Sequence, residues 1–330
     1  MNAFKILTQN RKKVIFLVTI VFLVILSIAV VATALRKPGN EDFSYAKTAV
    51  SDVTKTQEAL PAAANDYFAA FSREFNATGS ADKAKQNASK EYEAFAKAES
   101  SAMEAIKQLV DSKAANNGDV DQAIKQYTDV STNQTNYYAG MIASYSSFKG
   151  LFGGPDGVGC SGVFIGSTES LGERKDRLKK AAANCYPAIE KLKKSKNSAY
   201  VTYAFQMERR VKLLEQDAAS IAKSEQQNNE FSKQLAVFEQ KAADAKARNA
   251  SEQEVLALAN EIKAFNVKIK DNQADFDYSS KRYLATIKEF PTLAEAVFSD
   301  SISAKLKNLT SLSDVRLATL NLILDNQLLQ

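Results

Sequence analysis

The hydrophobic positions along the chain predict helices throughout, and the first of them is an unbroken apolar run. Residues 14–35 contain no charged side chain, follow Arg11, Lys12 and Lys13, and precede Arg36. A helix over these 22 residues rises about 33 Å, which is enough to cross the hydrocarbon core of a bilayer. Because the hydrophobic cores of signal peptides are usually shorter, we predict an uncleaved transmembrane signal anchor, with cleavage as the alternative.

Basic residues around this run predict its orientation. The N-terminal tail, residues 1–13, carries four basic residues, whereas the two basic residues on the other side are soon followed by Glu41 and Asp42. Basic flanks preferentially stay in the cytoplasm. We therefore expect a cytoplasmic tail, one pass through the lipid bilayer by residues 14–35, and a C-terminal bulk that is extracytoplasmic.

Beyond the anchor, apolar residues recur at steps of three and four, which is the period of amphipathic helices. This spacing predicts a three-helix bundle segment over residues 38–149, with antiparallel helices joined by short turns. The first helix is expected to continue through Pro61 with a kink and to stop at residues 76–80. The second is expected to end near residues 116–118, and Asp119 to open the third.

Glycine is concentrated in one segment that follows these helices. Nine of the twelve glycines lie between Gly140 and Gly172. A stretch so rich in glycine disfavours regular helix. It is also longer than the usual connection between helices, which is typical of functional or covalently held loops. We therefore expect a Gly-rich loop over residues 150–172.

The rest of the chain, residues 173–330, contains no glycine and predicts a long helical hairpin followed by C-terminal helices. Helical spacing of apolar residues runs through residues 197–247 and again through residues 251–289. Between these runs, Ser251 and Glu254 have the spacing of a capping box, which marks the start of a helix.

Two further patterns concern the outer faces of these helices. Polar residues occupy some seam positions of the hairpin, which indicates an exposed or partner-facing stretch rather than a strict coiled coil. They are Asp217, Ser224, Asn228, Asn249 and Asn272. A leucine-rich face after Pro291 predicts packing back on the bundle, with an oligomerisation face as the alternative.

These patterns together predict an all-α protein. A single N-terminal transmembrane helix precedes an elongated extracytoplasmic helical bundle, and a long coiled-coil-like hairpin extends that bundle.

The net charge changes the picture only near the anchor. The chain has 43 Lys and Arg against 38 Asp and Glu, for a formal charge of +5. The first 37 residues hold six basic and no acidic residues, which leaves 37 basic and 38 acidic residues in the rest. The exported part is near neutral, so we expect no nucleic-acid partner.

Two cysteines, Cys160 and Cys185, lie beyond the predicted anchor. Outside the cytosol such a pair favours a disulfide, with two buried free thiols as the alternative. The bond would close a loop of about 25 residues and stabilise the fold by about 3 kcal/mol.

Catalytic chemistry is poorly represented. The chain has no His, which removes imidazole bases, His ligands and His-based triads. Residues 157–162 match G-x-G-x-x-G without the strand of a dinucleotide site, and residues 146–149 match S-x-x-K without the partner motif of acyl-enzymes. We expect no enzymatic activity, no cofactor and no metal ion. A cell-envelope enzyme using Glu99 is a minor alternative.

One candidate interaction tip combines the glycine loop with the helix after it. Residues 173–196 contain nine basic and three acidic residues beside apolar loop side chains. Such a surface would bind a protein, an anionic envelope polymer or lipid headgroups. The tip residues are Leu151, Phe152, Val158, Val163, Phe164, Ile165, Arg174, Lys175, Arg177, Lys179 and Lys180. The competing interpretation, which we favour, is a loop stapled by the disulfide and packed on the bundle.

The predicted function is that of a membrane-anchored extracytoplasmic scaffold or protein-interaction protein, with a protein partner or self-association. The alternative is an extracytoplasmic ligand-binding or sensing bundle, in which Tyr and Phe seams line a pocket. That alternative requires a separate signalling partner, because a tail of 13 residues cannot hold an output domain.

Overall fold

The computed structural model describes residues 37–152, 159–164 and 171–329, and every regular element among them is helical. The predicted all-α class is confirmed for these residues. The α-helices are α1 (Asn40–Thr78), α2 (Ala81–Asn87), α3 (Ser89–Val110), α4 (Gly118–Leu151), α5 (Leu171–Lys193), α6 (Ser198–Ala247), α7 (Glu252–Ala296) and α8 (Ser303–Leu328).

The predicted transmembrane anchor lies outside the described residues, as does the tail before it. From Lys37 onward, none of the described helices combines the length and the apolar character needed to cross a bilayer. Anchoring by residues 14–35 therefore stays a prediction.

The first helix follows the hydrophobic spacing closely. α1 continues through Pro61 and ends at Thr78, as predicted. Gly79 then adopts a φ of 63°, a left-handed conformation that glycine reaches without a steric penalty. Ser80 starts α2, because its side-chain oxygen accepts a hydrogen bond from the backbone N–H of Lys83.

The extent of the second predicted helix is wrong. Ala88 separates α2 from α3, and α3 ends at Val110 rather than near residues 116–118. A short 3₁₀ turn follows, and the Asn117 side chain then accepts a hydrogen bond from the backbone N–H of Asp119. This Asn-Asn-Gly sequence therefore opens α4 instead of ending α3, since asparagine is a strong N-cap.

The described chain forms two compact units from non-consecutive segments. The first unit contains the residues up to Leu60, Lys97–Thr135 and the residues from Asn308 onward. The second unit contains Pro61–Ala96 and Asn136–Lys307. Each unit has its own buried core, described in turn below.

The core of the first unit joins α8 to the first half of α1. Leu320 and Leu324 of α8 are fully buried in one cluster with Phe43 and Val53 of α1, and with residues of α3 and α4. The leucine-rich face thus packs on the bundle, as the sequence predicts. Outside this cluster, Asp325 of α8 forms an ion pair with a lysine of α1.

The core of the second unit is built on the base of the hairpin. α6 contributes fully buried Tyr203, Met207 and Leu214, and α5 contributes fully buried Leu178 and Ile189. Large apolar side chains at helical spacing on both elements explain why α5 lies against the first half of α6.

Two neighbouring leucines distinguish the buried face of α8 from its outer face. Leu320 is fully buried, whereas Leu322 is 63% exposed. We predict that Leu320→Ala lowers the free energy of unfolding by about 2–5 kcal/mol, through lost burial and the cavity left behind. Leu322→Ala should change it by less than about 0.5 kcal/mol. Chemical denaturation of the full chain measures both, and equal losses would contradict the placement of α8.

Candidate interaction surfaces

A disulfide holds the described part of the Gly-rich segment against α5. Cys160 and Cys185 are bonded, with their Cα atoms 4.4 Å apart, which confirms the predicted pairing. Both residues are fully buried. The backbone N–H of Cys160 also donates to the carbonyl oxygen of Leu151 at 2.6 Å, so the segment doubles back on the end of α4.

Close packing on α5 explains one glycine of this segment. A Cβ atom at Gly162 would lie 3.3 Å from the Cβ of Ala181, which is tighter than ordinary van der Waals contact. The guanidinium of Arg177 donates to the carbonyl oxygen of Gly162 at 2.7 Å. This arginine, predicted to be one of the basic residues of the interaction tip, therefore binds the loop itself.

The described apolar residues of the predicted tip are turned inward. Leu151 and Val163 are fully buried, and Phe164 is nearly so. The ring of Phe164 stacks on Phe290 of α7 with centroids 3.9 Å apart, and the half-buried Phe152 contacts the same ring at 5.8 Å. These two ring contacts join the loop to the base of the hairpin.

The other two apolar tip residues, Val158 and Ile165, lie outside the described residues. The burial of the neighbouring side chains favours the stapled loop over an exposed apolar tip. The physical reason is that a large ring on α7 offers these loop side chains a partner within the same unit.

Some basic side chains of residues 173–196 contact other residues of the protein, and others are exposed. The guanidinium of Arg174 lies 5.9 Å from the ring centroid of Tyr283, within cation–π range. Lys193 pairs with Glu190 at 2.6 Å and Glu208 at 2.7 Å, and these hydrogen bonds raise the pKa of Lys193. Exposed lysines of residues 173–196 are Lys175, Lys179, Lys180, Lys191, Lys194 and Lys196. The exposed basic residues of this range are therefore all lysines.

The helical hairpin has the predicted bounds with one extension. α6 and α7 are joined by a short turn, in which Asn249 has a φ of 50°. Ser251 and Glu254 form the predicted capping box, because each side chain accepts the backbone N–H of the other residue. α7 continues beyond the expected end at residue 289 and stops at Ala296.

The hairpin has a buried base and an exposed end. We call residues 225–264 the distal hairpin, since no side chain in that range is buried. Phe265 directly follows this range on α7, and its buried ring meets those of Phe231 and Phe238 within the range at centroid distances of 5.4 and 5.1 Å. Four apolar side chains of the distal hairpin are 45 to 61% exposed, namely Leu235, Val237, Val255 and Leu256.

Two polar layers cross the hairpin below or near this exposed end. In the first, the Nε of Arg282 donates to both carboxylate oxygens of the fully buried Asp217, at 2.9 and 3.0 Å. This bond raises the pKa of the Arg282 guanidinium. In the second, the Asn272 side-chain amide donates to the Ser224 carbonyl oxygen at 2.9 Å and to the Asn228 side chain at 2.8 Å.

The expectation that these polar seam residues face outward or toward a partner is therefore wrong for the members of the two layers. Buried polar groups must be hydrogen-bonded, and the opposing helix of the hairpin supplies the partners. The sequence signal was the polar seam itself, but nothing in it identified Arg282, which lies 65 residues from Asp217.

Aromatic rings fill the second unit between α1, α3 and α4. The ring centroid of Tyr67 is 5.8 Å from that of Tyr92 and 6.4 Å from that of Tyr145, and Phe71 lies 5.2 Å from Tyr145. Burial raises the pKa of Tyr67 to about 12. At these positions the Tyr and Phe seams pack against one another, which does not favour the ligand-binding alternative.

In the part of the chain that the structure describes, no group of three or more Cys, Asp or Glu residues is placed to hold a metal ion.

Comparisons with known proteins add nothing to this geometry. No protein family, no curated protein and no solved structure matches the chain.

The polar layer at Asp217 gives a prediction on stability. Arg282→Met leaves a buried carboxylate without its partner, and we predict a loss of about 3 kcal/mol, since Arg282 is itself partly exposed. Adding Asp217→Leu should recover most of this loss, because both charges are then removed. Lys241→Met removes an exposed ion pair across the same hairpin and should cost less than about 1 kcal/mol. Urea unfolding measures all three, and a double variant no more stable than Arg282→Met would contradict the assignment.

The disulfide gives a second prediction. Replacing both cysteines, Cys160→Ala with Cys185→Ala, should lower the free energy of unfolding by about 3 kcal/mol, given the sequence separation of 25. A thiol reductant should lower the stability of the wild-type protein similarly and leave the double variant unchanged. A wild-type protein whose unfolding does not respond to complete reduction would contradict this role.

Proposed function

We propose that this chain is a membrane-anchored extracytoplasmic scaffold that contacts other proteins through its distal hairpin. The anchoring part of the proposal is supported by the apolar run of residues 14–35 and the basic residues before it. The Cys160–Cys185 bond agrees with a location outside the cytosol, because the thiol pools of the cytosol keep such cysteine pairs reduced.

The distal hairpin is the observation that carries the contact function. Residues 225–264 include no buried side chain, although the rings of Phe231 and Phe238 contact that of Phe265 on the facing helix. Ordering these 40 residues costs conformational entropy that no fully buried side chain within the range offsets. Apolar side chains held exposed at its sides, Leu235 and Leu256 among them, are typical of surfaces that a partner covers.

The base of the hairpin supports a scaffold role in another way. The Asp217–Arg282 pair and the Asn272 contacts fix which residues of α6 and α7 face each other. A distal hairpin with a fixed register presents one constant surface, and preorganisation reduces the entropy lost on binding.

The exposed lysines of residues 173–196 would be a second and weaker contact. Their charge suits an anionic envelope polymer or lipid headgroups, and no nucleic acid is included among the partners. The proposal includes no catalytic step. The absence of His from the sequence supports a role without acid–base chemistry at neutral pH.

Site-specific photo-crosslinking in intact cells tests the contact. A photoreactive residue at Leu256 or Leu235 should yield adducts of higher mass with another protein, because these side chains are exposed on the distal hairpin. The same residue at Tyr45, which is 54% exposed on α1, is the control and should yield none. Val255→Asp together with Leu256→Asp should reduce adduct formation from Leu235 about tenfold.

Fractionation of the same cells tests the anchor separately. The full chain should remain with membranes after washing with high salt and be released by detergent. Recovery in the soluble fraction would contradict the anchor, and membrane-bound protein without adducts at either leucine would contradict the scaffold role.

A further inference from the structure

α8 carries a second apolar stripe, on the side away from the core of the first unit. Its three apolar members within the helix are 39, 57 and 63% exposed in chain order, and Leu329, the residue directly after the helix, is 86% exposed. The stripe consists of Leu312, Val315, Thr319, Leu322, Asn326 and Leu329. Thr319 and Asn326 are exposed as well.

The spacing of this stripe is that of a coiled-coil seam. Its members follow one another at alternating steps of three and four residues, so Val315, Leu322 and Leu329 repeat every seven. Leu320 and Leu324, which are buried in the core, lie on a face about 140° away around the helix at 100° per residue. Isolated exposed leucines need no explanation, but apolar residues at heptad spacing on an outer face are the pattern of a surface that packs against a second helix.

We propose that α8 of one copy packs in parallel against α8 of a second copy of this chain through the stripe. In a parallel pair in register, each member faces its own counterpart, so Asn326 meets the Asn326 side chain of the other copy. In parallel pairs, a single asparagine at such a position specifies the register and the number of helices. A centred antiparallel pair would place Asn326 beside Val315, where the amide has no partner.

The position of the chain's N-terminal part also favours a second copy in this orientation. Lys47 of α1 forms an ion pair with Asp325, so the C-terminal end of α8 lies beside the start of α1. α1 begins at Asn40, soon after the apolar run of residues 14–35. If residues 14–35 hold two copies in one membrane, the C-terminal ends of their α8 helices point in the same direction. This step rests on the proposed membrane anchor.

The size of the stripe indicates how strong the pairing is. Four apolar side chains supply less area than the roughly 800 Å² per partner that stable soluble complexes bury. The contact is therefore weak in dilute solution. It depends on the raised effective concentration that tethering in a membrane provides.

Cysteine crosslinking of the full chain in its native membranes tests the pairing. The two natural cysteines are bonded to each other, so an introduced thiol is the reactive one. Leu322→Cys should form a disulfide-linked dimer on mild oxidation, at least about tenfold more than Ser101→Cys, because only the stripe residue is held beside its counterpart. Ser101 is an exposed residue of α3 in the same unit, which makes it a suitable control.

A second set of variants tests the specificity of the contact. Leu322→Asp should reduce the crosslinking of Asn326→Cys about tenfold, whereas Leu284→Asp, at a leucine of similar exposure outside both proposed contact surfaces, should not change it. Both substitutions are at exposed positions, and the thermal melt of each variant checks that it remains folded.

Three results would overturn the inference. The first is a Leu322→Cys dimer no more abundant than that of Ser101→Cys, as expected if another protein or the chain's own residues 14–35 cover the stripe. The second is preferential crosslinking of Leu312→Cys to Leu329→Cys, which indicates an antiparallel pair. The third is insensitivity to Leu322→Asp.

Fractionation distinguishes failure of the pairing from failure of the anchor. Membrane-bound protein without stripe crosslinks contradicts the pairing alone. Soluble protein that still crosslinks through the stripe contradicts the anchor alone, and soluble protein without such crosslinks contradicts both.

Discussion

The pairing of the buried Asp217 with Arg282 fixes how the two longest helices lie against each other, and the distal hairpin depends on it. An apolar seam that repeats every seven residues tolerates a shift by one repeat, since similar side chains meet again. A buried carboxylate does not, because the shift would leave it without its guanidinium at a cost of several kcal/mol. The hydrogen bonds of Asn272 to Ser224 and Asn228 would likewise be lost if the two helices shifted along each other. A hairpin whose residues 225–264 include no buried side chain can thus keep one arrangement.

The Gly-rich segment serves this arrangement from the base. Phe164 stacks on Phe290 of α7, while the disulfide and Arg177 tie the same segment to α5. Residues 159–164, the described part of the loop, therefore join α5 to the hairpin. Because the arginine is used inside the unit, only the flexible and strongly hydrated lysines of α5 remain for a partner. Lysines suit diffuse contact with a polyanion better than bidentate recognition of one group.

Local signals in the sequence predicted the parts of the fold that are decided locally. Helical spacing gave α1 and the hairpin, and the capping box at Ser251 gave the start of α7 to the residue. Contacts between distant residues decided the rest. No spacing rule relates Asp217 to Arg282, or Phe164 to Phe290. For the same reason an apolar glycine loop could be interpreted as an exposed tip until its partner ring was located. Helical spacing alone did not separate the outer stripe of α8 from its leucine-rich face, because only the burial of Leu320 and Leu324 shows which side of the helix is left exposed.

The two proposed contacts reinforce each other through valency. A distal hairpin with four half-exposed apolar side chains offers little area, so a single copy would bind a partner weakly. Pairing through α8 places two such hairpins in one assembly, and binding by the first raises the effective concentration of the second. Weak individual contacts then produce firm attachment where copies are concentrated and little attachment where they are sparse. A scaffold built in this way would respond to its own density in the membrane, without any catalytic site or conformational switch.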